Sequence, residues 1–453
     1  MHPIPDPAFG GRNDGIARIR ISADDTARDT ARAAVALPDG RLVLGGMTQA
    51  AERIRFQFAR LKADGSPDAT FGQEGNGAFV LDVEDISAMT HMLVPDEHTL
   101  LFAGTTLEST GVIGKVDDRG VLDGTFGEGG LRFVDASLFI DAGTLYTPMR
   151  LVPLRSKKTL VVGFAFSSLS ACAALLRLTE TGELDTPFGN DGIACLAPQR
   201  DNQRLALGTG AIEAADGSLY LTGAAYHEGG SGFDMFVARL NADGRPDATF
   251  GNEGSGFAFV DFDSGGELHD IAHDIAIDDG DRIVIAGSVA APSNSNDFDM
   301  GIARLLPDGN LDPSFAEDGR LQFSVTSDGR SAEAAQDIAL IEGNRLLIGG
   351  WSKERQQIAT LLMLDERGRL DPRFGTGGVF QQAATSAPDE DVIAVVPHNL
   401  LLAGDHIYLF GSIPVGDPLP DSSRPWAFAA TRYVLPLFDD GFDEVPSQTP
   451  AQP

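Results

Sequence analysis

The residues best equipped for chemistry stand together in Glu267–Asp274 (ELHDIAHD), where His269 and His273 alternate with Asp270 and Asp274. An imidazole beside a carboxylate can ligate a metal ion or act as a general base. In an extended strand positions four apart share a face. His269 and His273 are therefore expected to point the same way and, with Asp270 and Asp274, to form a binding site. A solvated loop is the commoner outcome for such a segment and is the favoured expectation. No cofactor and no resident metal are expected.

A second set recurs. A cation stands eight residues ahead of an aspartate in Arg60/Asp68, Lys115/Asp123, Arg177/Asp185, Arg239/Asp247 and Arg304/Asp312. The aspartates alone could form a ring of cation sites. Bidentate pairs that tie each turn to its strand are favoured, because the residues return in every copy whereas activity is usually confined to one place. One copy departs, with Met363 in the cation position ahead of Asp371. Asp64-Gly65 followed by Asp68 offers too few oxygens for a dedicated calcium loop, and a β-turn is expected there. Cys172 and Cys195 fall on two strands joined by one connection. A disulfide and two small buried thiols are equally compatible with that placement. No Gly-x-Ser-x-Gly elbow, phosphate loop, His-Glu-x-x-His or paired-Cys spacing occurs.

The elements that must position these residues are repeated. The phrase Arg-Leu-x-x-Asp-Gly-x-x-Asp-x-x-Phe-Gly-x-x-Gly is cleanest at Arg60–Gly75 and Arg239–Gly254, and its Phe returns as Phe9, Phe71, Phe126, Phe188, Phe250, Phe315 and Phe374. Ala316 replaces Gly in the sixth copy. These Phe are expected to wedge into the core between units. In step with them, short β-branched or leucine-rich runs end at Gly46, Gly104, Gly163, Gly223, Gly287, Gly350 and Gly411. Asp39-Gly40, Asp216-Gly217 and Asp279-Gly280 read as hairpin turns. Each unit thus reads as four short strands, the fourth following the phrase, as at 77–83 and 257–262. Residues 354–363 have some helical propensity but occupy a third-strand slot, and strand is expected.

Four-stranded antiparallel units in series predict an all-β, seven-bladed β-propeller. The chain opens on a fourth-type strand near 16–21 and closes on a third-type strand at 427–434, so the first strand is expected to complete the last blade. One domain spans 1–434. The remainder, 435–453, reads as an acidic, Pro-rich and disordered tail.

The run RLxxDGxxDxxFGxxG, with the RLVLGG-type strand before it, resembles the bacterial delta-60 repeat family from about Asp6 to Val434. The resemblance implies a propeller-like domain of undefined activity, found largely in secreted or envelope proteins, and carries no catalytic residue over.

The formal charge is −32 with no basic run, which disfavours nucleic acid and anionic membrane surfaces as partners. No apolar stretch approaches the roughly eighteen residues a membrane helix needs. The first residues, MHPIPDPAFGG, lack the pattern of a secretory leader. The resemblance and the Phe-Asp-Asp-Gly-Phe-Asp ending still tilt the expectation towards an exported, monomeric protein. The first function expected is a non-enzymatic scaffold that binds a protein or glycan through one propeller face. The second is a hydrolase or lyase with its site at the channel mouth near His269–Asp274. A deep pocket of perturbed polar groups would favour the enzyme, and an exposed apolar patch the binder. The loops at 227–233, 292–298 and 414–425 are the expected variable surface.

Overall fold

The computed structural model describes residues 3–11, 15–21, 27–50, 53–81, 83, 86–96, 98–141, 143–168, 170–197, 205–226, 232–251, 254–262, 269–290, 298–325, 332–353, 357–382, 396–403, 406–414 and 426–434. The loops expected at 227–233, 292–298 and 414–425 lie largely outside these residues, as do Glu267, Leu268 and the tail after Val434. The described chain is all-β apart from one 3-10 turn, Ala136–Leu138.

Four-stranded antiparallel groups follow one another along the chain. The first holds Arg28–Ala36, Leu42–Ala50, Arg53–Leu61 and Ala78–Leu81, each strand hydrogen-bonded to the next. The same order recurs in the groups that begin with Ile86–Asp96, Leu145–Pro153, Ala206–Glu213, Ile271–Ile277 and Ala332–Ile341. The last group, Val396–Ala403, His406–Pro414 and Trp426–Val434, takes its fourth strand from the start of the chain, Ile16–Ile19 pairing with Trp426–Val434. The fourth strands are shorter than the sequence suggests, ending at Leu81 and Val260 rather than at 83 and 262. Gln357–Leu364 is a strand.

The first strand of each group packs against the first strand of the next, and Val396–Ala403 packs back against Arg28–Ala36. Each first strand also carries a single-residue register skip, such as those at Ala31/Ala33, Met89/His91, Pro148/Arg150 and Ala272/Asp274. The skip explains the second recurring glycine. A carbonyl of the skipped strand approaches the second strand so closely that a Cβ at Gly223 would sit 1.8 Å from the Leu207 oxygen, and one at Gly46 2.0 Å from that of Thr30. Only glycine admits this approach.

Neighbouring groups are joined through the phrase. The amide after the phrase Phe donates to a carbonyl in the glycine turn of the next group: Gly72 to Asp118, Gly127 to Thr181, Gly189 to Asp243, Gly251 to Asp308 and Ala316 to Arg367, at 2.6–3.0 Å. Gly10 of the N-terminal phrase donates to Asp64 of the first group in the same way. The turn glycine lies over the preceding Phe, with Gly244 against Phe188 and Gly368 against Phe315. The turn at 278–282 differs from expectation, because there Asp281 and not Gly280 takes the positive φ, +57°.

Candidate functional site

The Glu267–Asp274 segment is divided by the skip between Ala272 and Asp274. One skipped residue shifts the two-residue alternation on which a shared face depends, and the two histidines enter different surroundings. His269 is exposed. Its Nδ1 accepts the Phe233 amide at 3.1 Å, and its ring lies 5.5 Å from that of Phe233, which in turn meets Tyr226 edge-on at 4.8 Å. His273 instead sets Nε2 3.0 Å from Ser288 Oγ.

Asp270 is buried and accepts the amides of Phe262 and Ala290 at 3.2 and 3.1 Å. Asp234, Asp261 and Asp270 bring one carboxylate oxygen each within 4.8 Å of one another. The role of Asp270 recurs elsewhere. Asp29 accepts the amide of Ile21 and Glu333 that of Val325, in each case eight residues back, fastening the end of one group's fourth strand to the next group's first strand.

Asp274 reaches inward. Its carboxylate accepts Arg150 Nη1 at 2.5 Å, from a strand two groups earlier, and the Ile338 amide at 2.9 Å, from the following group. His91 accepts the Leu151 amide at 3.3 Å, and Thr209 donates to the Ala272 carbonyl at 2.6 Å. The first strands are thus cross-braced by the residues at and just after their skips. Arg150 keeps 22% of its side chain open and Asp274 8%. Burial pulls the Arg150 guanidinium down, but the charges of Asp274 and Asp337 outweigh it and raise its pKa. Burial, with the Arg150 charge, lowers His91 to about 3 and His273 to about 4. Both imidazoles are therefore neutral at physiological pH and are weak bases, poorly matched to proton abstraction there. Sequence reasoning missed Arg150, His91 and Asp337. The signal was present, since His91, Arg150, Asp274 and Asp337 each stand thirteen residues before a marker glycine, Gly104, Gly163, Gly287 and Gly350.

The recurring cations meet their aspartates. The distances are 2.7 Å for Arg60–Asp68, 2.9 Å for Lys115–Asp123, 2.6 Å for Arg177–Asp185, 3.4 Å for Arg239–Asp247 and 2.8 Å for Arg304–Asp312. Arg60, Arg177 and Arg304 lie 4.7–4.8 Å over the rings of Phe71, Phe188 and Phe315, and Arg239 lies over Tyr220 instead. Phe126, Phe250 and Phe374 are likewise buried. Arg432 pairs with Asp6 at 2.5 Å and covers Phe9, so the N-terminal phrase serves the last group. Where Met363 replaces the cation, Asp371 is bound by Arg373 at 2.7 Å. Cys172 and Cys195 are joined as a disulfide with Cα atoms 5.5 Å apart.

A last feature is apolar and exposed. Leu107, Phe133, Leu138 and Phe166 are 65%, 50%, 42% and 42% exposed. All four lie at the end of the second and third groups that carries the connections between strands two and three and between successive groups. Hydrogen bonds from Tyr146 to the Ser109 carbonyl and from Thr144 to the Phe166 carbonyl hold these connections together. Phe139 stacks on Tyr146 at 4.9 Å beneath them.

Three segments, 37–71, 214–250 and 281–315, match the family described as a domain of unknown function (DUF5122) β-propeller. No curated protein matches the chain. Among solved structures, the polysaccharide lyase Uly1 superposes with a TM-score of 0.52 at 8% identity, covering 94% of this chain and 93% of that one. The β-propeller domain of the Trilobed protease from Pyrococcus furiosus gives 0.43 at 10% identity over 92% and 99%. An endo-arabinanase from Bacillus licheniformis gives 0.33 at 13% over 64% and 98%. The chain is an all-β repeat protein of four-stranded antiparallel sheets, similar to β-propellers.

Among the described residues no helix is long and apolar enough to cross a membrane.

Proposed function

We propose that the protein is an exported, seven-bladed propeller of the delta-60 repeat kind that works as a binding scaffold for another protein. Closure of the ring is supported by Ile16–Ile19 in the last sheet and by the Gly10 amide on Asp64. Export is supported by the Cys172–Cys195 disulfide, which is suited to an oxidising compartment. The observation that carries the binding role is the exposed patch of Leu107, Phe133, Leu138 and Phe166 on one face, since grouped exposed apolar side chains mark interaction sites. The groups with catalytic potential are engaged elsewhere: Asp274 in bracing Arg150 and Ile338, and the imidazoles as weak bases. The test is affinity capture from an envelope fraction with the wild-type chain and with Leu138→Asp/Phe166→Asp. The scaffold reading expects a defined partner to be lost with the variant. Identical captures from both chains refute it.

The second reading is a polysaccharide-cleaving enzyme that uses Arg150, His91 and His273 on its first strands. It is favoured by the fold-level likeness to the lyase over almost the whole chain. Turnover of a polysaccharide that survives Leu138→Asp/Phe166→Asp and disappears in His273→Gln would support this reading over the scaffold.

A further inference from the structure

The connections at this binding face carry charge of one sign, and Arg132, next to Phe133, is paired with Glu183 at 3.5 Å. The three connections, residues 107–110, 135–144 and 167–170, contain Glu108, Asp135 and Asp141 and neither Lys nor Arg. All three acids are exposed, Glu108 beside Leu107 and the other two bracketing Leu138. Asp135 is held in place at the start of the 3-10 turn, where its carboxylate accepts the Ser137 amide at 2.8 Å. The platform beneath is stiff. Ala136, Tyr146 and Cys172 belong to one buried cluster, with Phe139 and Ile140 packed on it, and the Cys172–Cys195 bridge fastens its outer edge.

We propose that this face takes a basic amphipathic segment of a partner protein, whose apolar side chains cover Leu107, Phe133, Leu138 and Phe166 while its Lys or Arg side chains meet Glu108, Asp135 and Asp141. The inference rests on the scaffold reading and adds the chemistry of the partner. An acidic partner would meet three carboxylates and the long-range field of a chain whose formal charge is −32. A purely polar cationic partner would leave the apolar centre wet. A segment with both features satisfies the face, and a rim of opposite charge steers its approach.

The test uses an eighteen-residue peptide of Leu and Lys patterned as an amphipathic helix, with two counterparts: Leu replaced by Ser, and Lys replaced by Glu. Binding is measured by calorimetry to the full chain at low and physiological salt. The Leu/Lys peptide should bind, its affinity should fall with salt, and neither counterpart should match it. Leu138→Asp/Phe166→Asp should weaken it about tenfold or more. Glu108→Lys/Asp135→Lys/Asp141→Lys should weaken it by a comparable factor at low salt and less at high salt. Because every substituted side chain is exposed, an unchanged melting curve confirms that each variant is folded. If the peptide binds equally to the patch variant, attraction is only the diffuse charge of the chain and the proposal fails. If the captured cellular partner is lost with the patch variant but kept with the rim variant, the scaffold reading stands and the basic partner is refuted.

Discussion

Arg304 offers the sharpest perturbation of the repeat. Its side chain is 2% exposed, and it donates to Asp312 at 2.8 Å, to Ser314 Oγ at 3.1 Å and to the Glu366 carbonyl of the next group at 2.5 Å, while covering Phe315 at 4.8 Å. Arg304→Met removes all of these and leaves the buried Asp312 with the Ser314 amide and hydroxyl and, 3.9 Å away, only Arg282 as a counter-charge. The penalty for breaking a buried pair is about 3–5 kcal/mol, most of it the uncompensated charge. At ~2 cal/mol/K per residue a chain of this length unfolding as one unit would lose about 3–5 °C in Tm. Arg239→Met is the internal control. Arg239 is 23% exposed, 3.4 Å from Asp247 and over Tyr220, and its shortest pair, 2.8 Å to Asp216, is with an acid 57% exposed, so its loss should cost about 1 kcal/mol or less. The repeat itself contains the compensated case, since Met363 coexists with Asp371 because Arg373 takes the acid. Arg373 stands where Ser314 stands in the preceding copy. Arg304→Met/Ser314→Arg should therefore recover most of the loss, and Arg304→Met/Asp312→Asn part of it. Scanning calorimetry on the four variants decides the matter. Equal melting temperatures for Arg304→Met and Arg239→Met, or no rescue by Ser314→Arg, would refute the buried-pair reasoning.

Acid lability should begin well above the carboxylate range. His91 and His273 have folded pKa values lowered to about 3 and about 4, so unfolded imidazoles bind protons from about pH 6.5 downward while folded ones do not, and stability falls from there towards pH 4. The charge acting on both is Arg150, itself held by Asp274 and Asp337, and it is the fixed positive charge opposing protonation. Because both rings keep part of their surface open, each is expected to contribute on the order of 1–2 kcal/mol. Denaturant titrations at pH 7.0 and 4.5 should show the gap narrowing in His273→Gln. Gly251→Ala should cost ~3 kcal/mol or more, because its φ is +76° and the new Cβ would lie 1.9 Å from the Phe257 oxygen. Ala316→Gly, at φ +51°, should change Tm little, since strain relief and added unfolded-state entropy oppose one another. Cys172→Ser should lower stability by ~2–4 kcal/mol and abolish any effect of reductant on the melting curve, whereas a wild-type melt indifferent to reductant would count against the bridge.

Much of the strand order was readable because the repeat states it many times. The Arg–Asp spacing of eight, the Asp-Gly turns and the Phe-Gly step each report a local geometry, and local geometry is what a sequence pattern encodes. The meeting of Arg432 with Asp6 was less direct. It follows only after the N-terminal phrase is recognised as the missing loop of the last group. The Arg150–Asp274 contact, 124 residues apart, was invisible for a different reason. Strict two-residue alternation places His269 and His273 on one face, and a single skipped residue after Ala272 invalidates that rule just where the functional expectation relied on it. A backbone skip leaves only an indirect trace, the glycine on the neighbouring strand that must admit a carbonyl at about 2 Å from its would-be Cβ.

That trace bears on where function can reside. Every recurring residue of the phrase is engaged with a neighbour: Arg with Asp and Phe, the Phe-Gly amide with the next turn, and the turn glycine with the preceding Phe. Changing one of them perturbs a junction between groups, which makes the phrase end of the molecule a poor place to evolve specificity. The opposite end is built differently. There the connections 107–110, 135–144 and 167–170 share no common phrase, yet their described residues are tied by backbone bonds to strand ends, next to two strands bridged by a disulfide. Side chains on such connections can vary without disturbing the junctions, while the platform beneath keeps them in register. Leu107, Leu138 and Phe166 occupy positions where the scaffold asks for nothing apolar. Their exposure is therefore better explained by what they bind than by what they support.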